Sequence, residues 1–199
     1  MPHFTEDWFS GHIPYWEKLF FEELGWRPDE ARHVVEIGSF EGRSTLWFLA
    51  NLLRHPASRV TCIDTFAGGA EHDAAQTTGL FERFQANLAA SGEAVKAEVL
   101  RTDSASGLLR LLGRGGPGPA LIYIDGSHEA ADVLTDLVLA FRLAPEGGVI
   151  LCDDYLWPHP DVLRSPKLAI DAFTNIHRNR IDILDGPHRV QLAFRKRAG

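Results

Sequence analysis

Cysteine is scarce here: two residues among 199, Cys62 and Cys152, each inside an apolar run. No Cys-x-x-Cys pair exists, so neither a thiolate zinc site nor a dithiol redox motif is expected, and both thiols read as small buried core residues. A basic excess is missing too. Lys and Arg number 20 against 27 Asp and Glu, a formal net charge of −7. Nucleic-acid binders usually carry the opposite balance, so no nucleic-acid partner is expected. The basic run Arg195-Lys196-Arg197 reads as a solvated terminus. No apolar stretch has the length of a membrane span, so no membrane partner is expected. Met1 to Asp7 lacks the basic-then-apolar order of a signal peptide, and the expectation is a cytoplasmic protein. There is no internal repeat. The low-complexity stretch Gly113–Pro119 lacks the Lys-Ser/Thr of a phosphate loop and reads as a flexible surface connection.

What is present suits a globular domain: 45% hydrophobic and 24% charged residues, in a chain long enough to bury a core. The first thirty residues are rich in aromatics. Between Pro14 and Gly25, Ile13, Trp16, Leu19, Phe20 and Leu24 recur at helical spacing, which predicts an amphipathic helix laid on the domain, as core or as a lid. From His33 onward strands and helices alternate. Strands are expected at His33–Gly38, Arg59–Asp64, Lys96–Arg101, Ala120–Asp125 and Val149–Asp153. Helices are expected on the Leu46–Leu53 face, at Gly79–Ser91 and Ser104–Leu112, and on the Val133–Phe141 face. A last helix opens at Pro166 after the cap Ser165, with Ile170, Phe173 and Ile176 facing inward. This order predicts a Rossmann-like, doubly wound α/β sheet, mostly parallel. Arg180–Leu184 and Arg189–Arg195, joined by Asp185–His188, are spaced as a hairpin, so the C-terminal strand is expected to be antiparallel.

In such sheets ligands bind beyond the carboxyl ends of the strands, so the residues that end each strand matter most. After the first strand, Gly38 permits a tight turn, and Gly42 precedes a helix start whose free N–H groups favour polar or anionic atoms. The third glycine of a dinucleotide fingerprint is absent. Asp64 ends the second strand, where an acid can accept from a ribose diol or form a turn. Asp103, before Ser104, is a helix cap or an adenine contact. The fourth strand ends in Asp125-Gly126-Ser127-His128 and the fifth in Asp153-Asp154-Tyr155. Two carboxylates at one strand end and a third on another strand are costly without a cation or strong hydrogen bonds, and if the two strands are neighbours all three can meet. They predict a shared hard cation, Mg²⁺ first, with His128 one loop away to take a proton. The alternative makes Asp125 a helix cap and leaves Asp154 in water. His72, His159 and His188 have no metal-ligand spacing, and His128-Glu129-Ala130-Ala131-Asp132 lacks the second His of a zinc helix.

Val34-Val35-Glu36-Ile37-Gly38-Ser39, the strand-ending Asp64, Leu143-Ala144-Pro145-Glu146-Gly147-Gly148 and the closing hairpin together resemble class I S-adenosylmethionine-dependent methyltransferases over about residues 30–195. Asp125-Gly126-Ser127-His128 with Asp153-Asp154-Tyr155 is similar to the macrocin-type small-molecule O-methyltransferases, a block shared with the cephalosporin-hydroxylase-like proteins. The resemblance implies that Glu36, Gly38, Ser39, Gly42 and Ser44 line the methionine side of S-adenosylmethionine. It places the ribose on Asp64, the adenine near Asp103 and Ser104, and Asp125 at both cofactor and metal. It implies that Asp125, Asp153 and Asp154 bind Mg²⁺ and that His128 is the general base.

The function expected is Mg²⁺-dependent methyl transfer to a hydroxyl of a small molecule, a sugar or natural product. A helical segment over residues 1–30, on or over the cofactor site, would pack on a methyltransferase domain at 31–199. A homo-oligomer stays open. So do two alternatives: a nicotinamide-dependent oxidoreductase and a non-enzymatic domain with a Mg²⁺-binding acidic pocket.

Overall fold

The computed structural model describes residues 1–69, 72–158, 160–188 and 190–199. His159, and Arg189 that opens the expected last strand, lie outside the described residues. Five apolar runs form parallel strands: β1 (His33–Ile37), β2 (Arg59–Asp64), β3 (Ala97–Arg101), β4 (Leu121–Ile124) and β5 (Val149–Cys152). β6 (Ile181–His188) and β7 (Gln191–Lys196) complete one seven-stranded sheet in the order β3-β2-β1-β4-β5-β7-β6. β7 is antiparallel to both β5 and β6, as the hairpin spacing predicts. Strand order reverses between β1 and β4, so the crevice for a ligand opens above that pair.

Helices cover both faces. On one face lie the first helix (residues 10–23), α2 (Arg43–Trp47, running on through Phe48–Leu52), the short α3 (Ala74–Thr77) and α4 (Leu80–Ala90). That face buries Trp16, Phe20, Phe48 and Phe84 against Val34, Val60 and Tyr123. On the other face α5 (Ser104–Arg114), α6 (Ala130–Leu143) and α7 (Pro166–Ile176) bury Leu108, Leu137 and Phe173 against Ile37, Ile122 and Ile150. Both strand faces are therefore apolar, as a covered parallel sheet requires. Cys62 and Cys152 are buried and unpaired. Among the described residues, no helix is long and apolar enough to cross a membrane.

The first helix, called α1 below, begins as a 3₁₀ turn (Ser10–His12), continues as α (Ile13–Glu17) and ends in wider π turns (Lys18–Glu23). Trp16, Leu19 and Phe20 are fully buried. The chain before it straps across the β1–α2 loop and α4 on the same face: Thr5 donates from N and Oγ1 to Glu41 (2.8 and 2.7 Å), which also accepts from Arg83 Nε (2.8 Å). Trp8 packs on Phe40, ring centroids 5.1 Å apart.

Four sequence expectations need correction. Ile176 is 77% exposed: it ends α7, one turn beyond the part that the sheet covers. The residues read as the Asp185–His188 turn continue β6, which runs to His188 and reaches Gln191 through a register shift after Leu184. Lys196 is only partly exposed. It belongs to β7 and its ammonium donates to the carbonyls of Phe141 (2.9 Å) and Ala144 (2.7 Å) at the end of α6. Gly118, within the supposedly loose connection, is tightly packed: a Cβ there would lie 2.4 Å from the Leu143 carbonyl oxygen.

Candidate active site

The site grows from the ends of the parallel strands. The hydrogen-bond ladder runs one residue past them: Gly38 N donates to Ile63 O (2.9 Å), Asp125 N to Ile37 O (2.8 Å) and Asp153 N to Ile124 O (2.8 Å). Asp64, Gly38, Asp125 and Asp153 therefore stand along one edge of the sheet. Gly38 has φ +80° and sits so close to the end of β4 that a Cβ would lie 1.9 Å from the Asp125 carbonyl oxygen. Only glycine fits there. Gly42, at φ +86°, is the residue from which α2 starts.

The loop between these glycines is held from two sides. Asp64 accepts through Oδ2 from the backbone N–H groups of Ser39 (2.7 Å) and Phe40 (2.9 Å), and through Oδ1 from Phe66 N (2.6 Å). A carboxylate has about four acceptor positions, so capacity for a further hydroxyl remains. Glu36 lies beneath the loop, fully buried. It accepts from Ser39 Oγ (2.8 Å), Ser44 Oγ (2.6 Å) and Thr45 Oγ1. Burial raises the Glu36 carboxyl above its ordinary value, and the three hydroxyls oppose that shift. In this structure Glu36 and Ser44 thus act under the loop, setting its shape from inside. Asp103 caps α5 by accepting from Ser106 N (2.8 Å), which holds its carboxyl below the usual value. It does not touch the Asp64 carboxylate, although Thr102 N donates to Asp64 O (3.1 Å) and brings the start of α5 alongside. Ser104 lies beside the buried Asp136.

The second half of the site is the acidic centre. Asp125, Asp153 and Asp154 each present a carboxylate oxygen within 4.8 Å of the other two. Asp125 is not a helix cap, because α6 starts from Glu129. Asp154 is not merely solvated: its Oδ2 lies 2.7 Å from His128 Nε2. It sits at φ +54°, a conformation that Asp tolerates better than most residues. The His128 ring packs against Trp157, centroids 4.1 Å apart. Burial raises the carboxyls of Asp125 and Asp153, and the neighbouring carboxylates push them higher. This is an acidic group short of positive charge, the donor set that hard divalent cations take.

Sequence reasoning did not find four residues that serve this centre. Tyr123, on β4 two residues before Asp125 and so on the same face, bonds through its hydroxyl to Asp125 Oδ2 (2.9 Å) and to Asp153 Oδ2. Burial and both carboxylates raise its phenol well above the ordinary value. Gln191 is the step beyond the Cys152–Leu192 pair, which sets it opposite Asp153, and its Nε2 donates to Asp153 Oδ2 (2.8 Å). Trp16 donates its indole N–H to Gln191 Oε1 (2.8 Å). His12 Nε2 lies 4.0 Å from Asp153 Oδ2. The available signals were weak: a lone Tyr in an apolar central strand, and a Gln opening the last one.

A family model for a methyltransferase domain matches residues 35–155 of this chain. No curated protein matches it in sequence. Among solved structures, a Klebsiella pneumoniae protein assigned as an O-methyltransferase superposes with a TM-score of 0.69 at 16% identity, covering 98% of this chain and 83% of that one. TomG, an O-methyltransferase of tomaymycin synthesis from Streptomyces achromogenes solved with SAM, gives 0.66 at 20% identity over 93% of this chain and 80% of its own. The methyltransferase MycE of the mycinamycin pathway, solved with Mg, SAH and mycinamycin VI, gives 0.63 at 18% identity. The match covers 96% of this chain but 51% of MycE. At these identities the likeness shows a shared fold.

Proposed function

The chain belongs to this methyltransferase-domain family, and on that premise we propose that it uses S-adenosylmethionine and Mg²⁺ to methylate a hydroxyl of a small molecule. Family membership leaves the nicotinamide and non-enzymatic alternatives without support. The observation that carries the finer reading is the convergence of Asp125, Asp153 and Asp154, with His128 on Asp154, next to the Gly38–Gly42 loop. TomG was solved with SAM, and MycE with Mg and SAH, which supports the same pairing here.

The residues fit a nucleoside cofactor. Gly38 and Gly42 give a loop that no Cβ obstructs, and Asp64 fixes it from below while keeping acceptor capacity for a ribose hydroxyl. In this reading Ser39 faces the methionine end, with Glu36 and Ser44 fixing the loop beneath it. Asp103 and Ser104 border the adenine at the start of α5. Residues 1–30 belong to the site as well, since Thr5 and Trp8 bind the loop that residues 31–199 build. S-adenosylmethionine, when bound, supplies a methyl group that is already activated. A divalent cation held by Asp125, Asp153 and Asp154 supplies a positive charge that favours the ionised form of a nearby hydroxyl.

The chain itself has two tasks: to position the acceptor and to take its proton. His128 takes that proton through the ring nitrogen that Asp154 does not hold, since Nε2 donates its N–H to Asp154 Oδ2 at 2.7 Å. Asp154 orients the ring and stabilises it once protonated, and Trp157 fixes its plane. An acceptor with two adjacent oxygens, a sugar diol or a natural-product catechol, suits a centre of this charge. The test is transfer of labelled methyl from S-adenosylmethionine to a panel of such acceptors, with Mg²⁺ and with chelator. Transfer that Mg²⁺ supports and chelator abolishes is expected. Transfer at an unchanged rate in chelator would assign the three carboxylates a structural role.

A further inference from the structure

We propose that Gln191 is a positioning residue for the cation site, set by Trp16 of α1, so that the N-terminal helix governs how Asp153 presents its carboxylate. The inference rests on the acidic centre holding a divalent cation.

The direction of each bond follows from chemistry. An indole N–H only donates, so it must face the oxygen of the Gln191 amide. That leaves the amide N–H₂ to donate to Asp153 Oδ2. Without the indole the amide can turn over, and a reversed amide would set its carbonyl against the carboxylate, acceptor to acceptor. Trp16 and Gln191 are both fully buried, so no solvent replaces a lost partner easily. Asp153 then receives hydrogen bonds from three places, Gln191 and Tyr123 on Oδ2 and the Asp154 N–H on Oδ1 (2.8 Å), while His12 Nε2 lies 4.0 Å from Oδ2. His12 and Trp16 are four residues apart, so one face of α1 reaches Asp153 both directly, through His12, and by way of Gln191.

The geometry is hard to deform. Trp16 stacks on Phe48 at 4.7 Å and meets Phe9 (4.7 Å), Tyr123 (5.0 Å) and Trp47 (5.1 Å) edge-on. Its ring orientation, and with it the N–H direction, is fixed by packing. A helix near the start of the chain thereby sets, through a glutamine 175 residues away from Trp16, the rotation of a metal-ligand candidate. Residues that hold metal ligands from behind typically change metal affinity by about 10–100-fold.

The test is Mn²⁺ binding to the full chain, followed by the EPR signal of free Mn²⁺, alongside thermal melting and binding of S-adenosylhomocysteine. Trp16→Phe keeps most of the ring packing and removes the N–H. Gln191→Met removes both amide groups. Trp47→Phe, in the same aromatic cluster but without a bond to Gln191, measures the effect of lost packing alone. Trp16→Phe and Gln191→Met are expected to weaken Mn²⁺ binding by about 10–100-fold, with cofactor binding retained, whereas Trp47→Phe keeps wild-type Mn²⁺ affinity at a lowered melting temperature. If Trp16→Phe fails to fold, Gln191→Met decides. Wild-type Mn²⁺ affinity in Gln191→Met, or an equal loss in Trp47→Phe, overturns the proposal. A wild-type protein that binds no Mn²⁺ refutes the cation reading itself and this proposal with it.

Discussion

Replacing Asp125 by Asn should stabilise the cation-free protein while abolishing its response to Mg²⁺. Like charges held within 4.8 Å repel by about 3 kcal/mol per pair at an effective dielectric of about 20. The chain limits that cost by protonation: burial and the neighbouring carboxylates raise the Asp125 and Asp153 carboxyls. Raised carboxyls make stability fall as pH rises from the ordinary carboxylate range through the raised values. Asn keeps the shape and can still bond the Tyr123 hydroxyl, but carries no charge. We therefore expect a gain of about 1–3 kcal/mol near neutral pH in chelator. For a chain of this size that is about 2–12 °C in melting temperature. Mg²⁺ at one hundred times its dissociation constant should add about 2.7 kcal/mol to the wild type and nothing to the variant. Calorimetric melts in chelator and in Mg²⁺ measure both effects. A variant that is less stable in chelator and still gains stability with Mg²⁺ would refute the reasoning.

Asp64→Ala should weaken S-adenosylhomocysteine binding at least about tenfold by titration calorimetry, because it removes the proposed ribose acceptor and frees the Ser39 and Phe40 N–H groups; unchanged affinity in a folded variant removes the ribose assignment. His128→Ala should lower kcat by about 10²–10⁴-fold with cofactor affinity retained, and erase the acidic limb of the pH–rate profile; an unaltered limb would mean that another group takes the proton. Asp136 is buried, and burial pushes its carboxyl up to about 6. The wild type should therefore lose up to about 3 kcal/mol as pH rises from about 4 through about 6. Asp136→Asn should show no such loss in chemical denaturation across that range.

The parallel half of the fold was legible because each buried strand is an apolar run closed by a polar residue. That same rule exposed Asp64, Asp125 and Asp153 as site candidates, since a carboxylate ending a buried strand stands at the ligand edge of the sheet. The rest depended on partners distant in sequence. Trp16 and Tyr123 look like core residues until their N–H and O–H groups are traced to Gln191 and the acidic pair. The indole and Gln191 are 175 residues apart, beyond any local pattern. Glu36 could be placed near the loop, but only the structure shows its oxygens taken up by Ser39, Ser44 and Thr45. Ile176 misled because helical periodicity does not say where the covering sheet ends.

A crystal structure of the protein with S-adenosylhomocysteine and Mn²⁺, phased to show the anomalous signal of the metal, tests the central claim most directly. The account predicts one Mn²⁺ peak among the carboxylates of Asp125, Asp153 and Asp154, and a nucleoside over the Gly38–Gly42 loop with its ribose on Asp64. A metal peak elsewhere, or an empty loop at saturating cofactor, would contradict it.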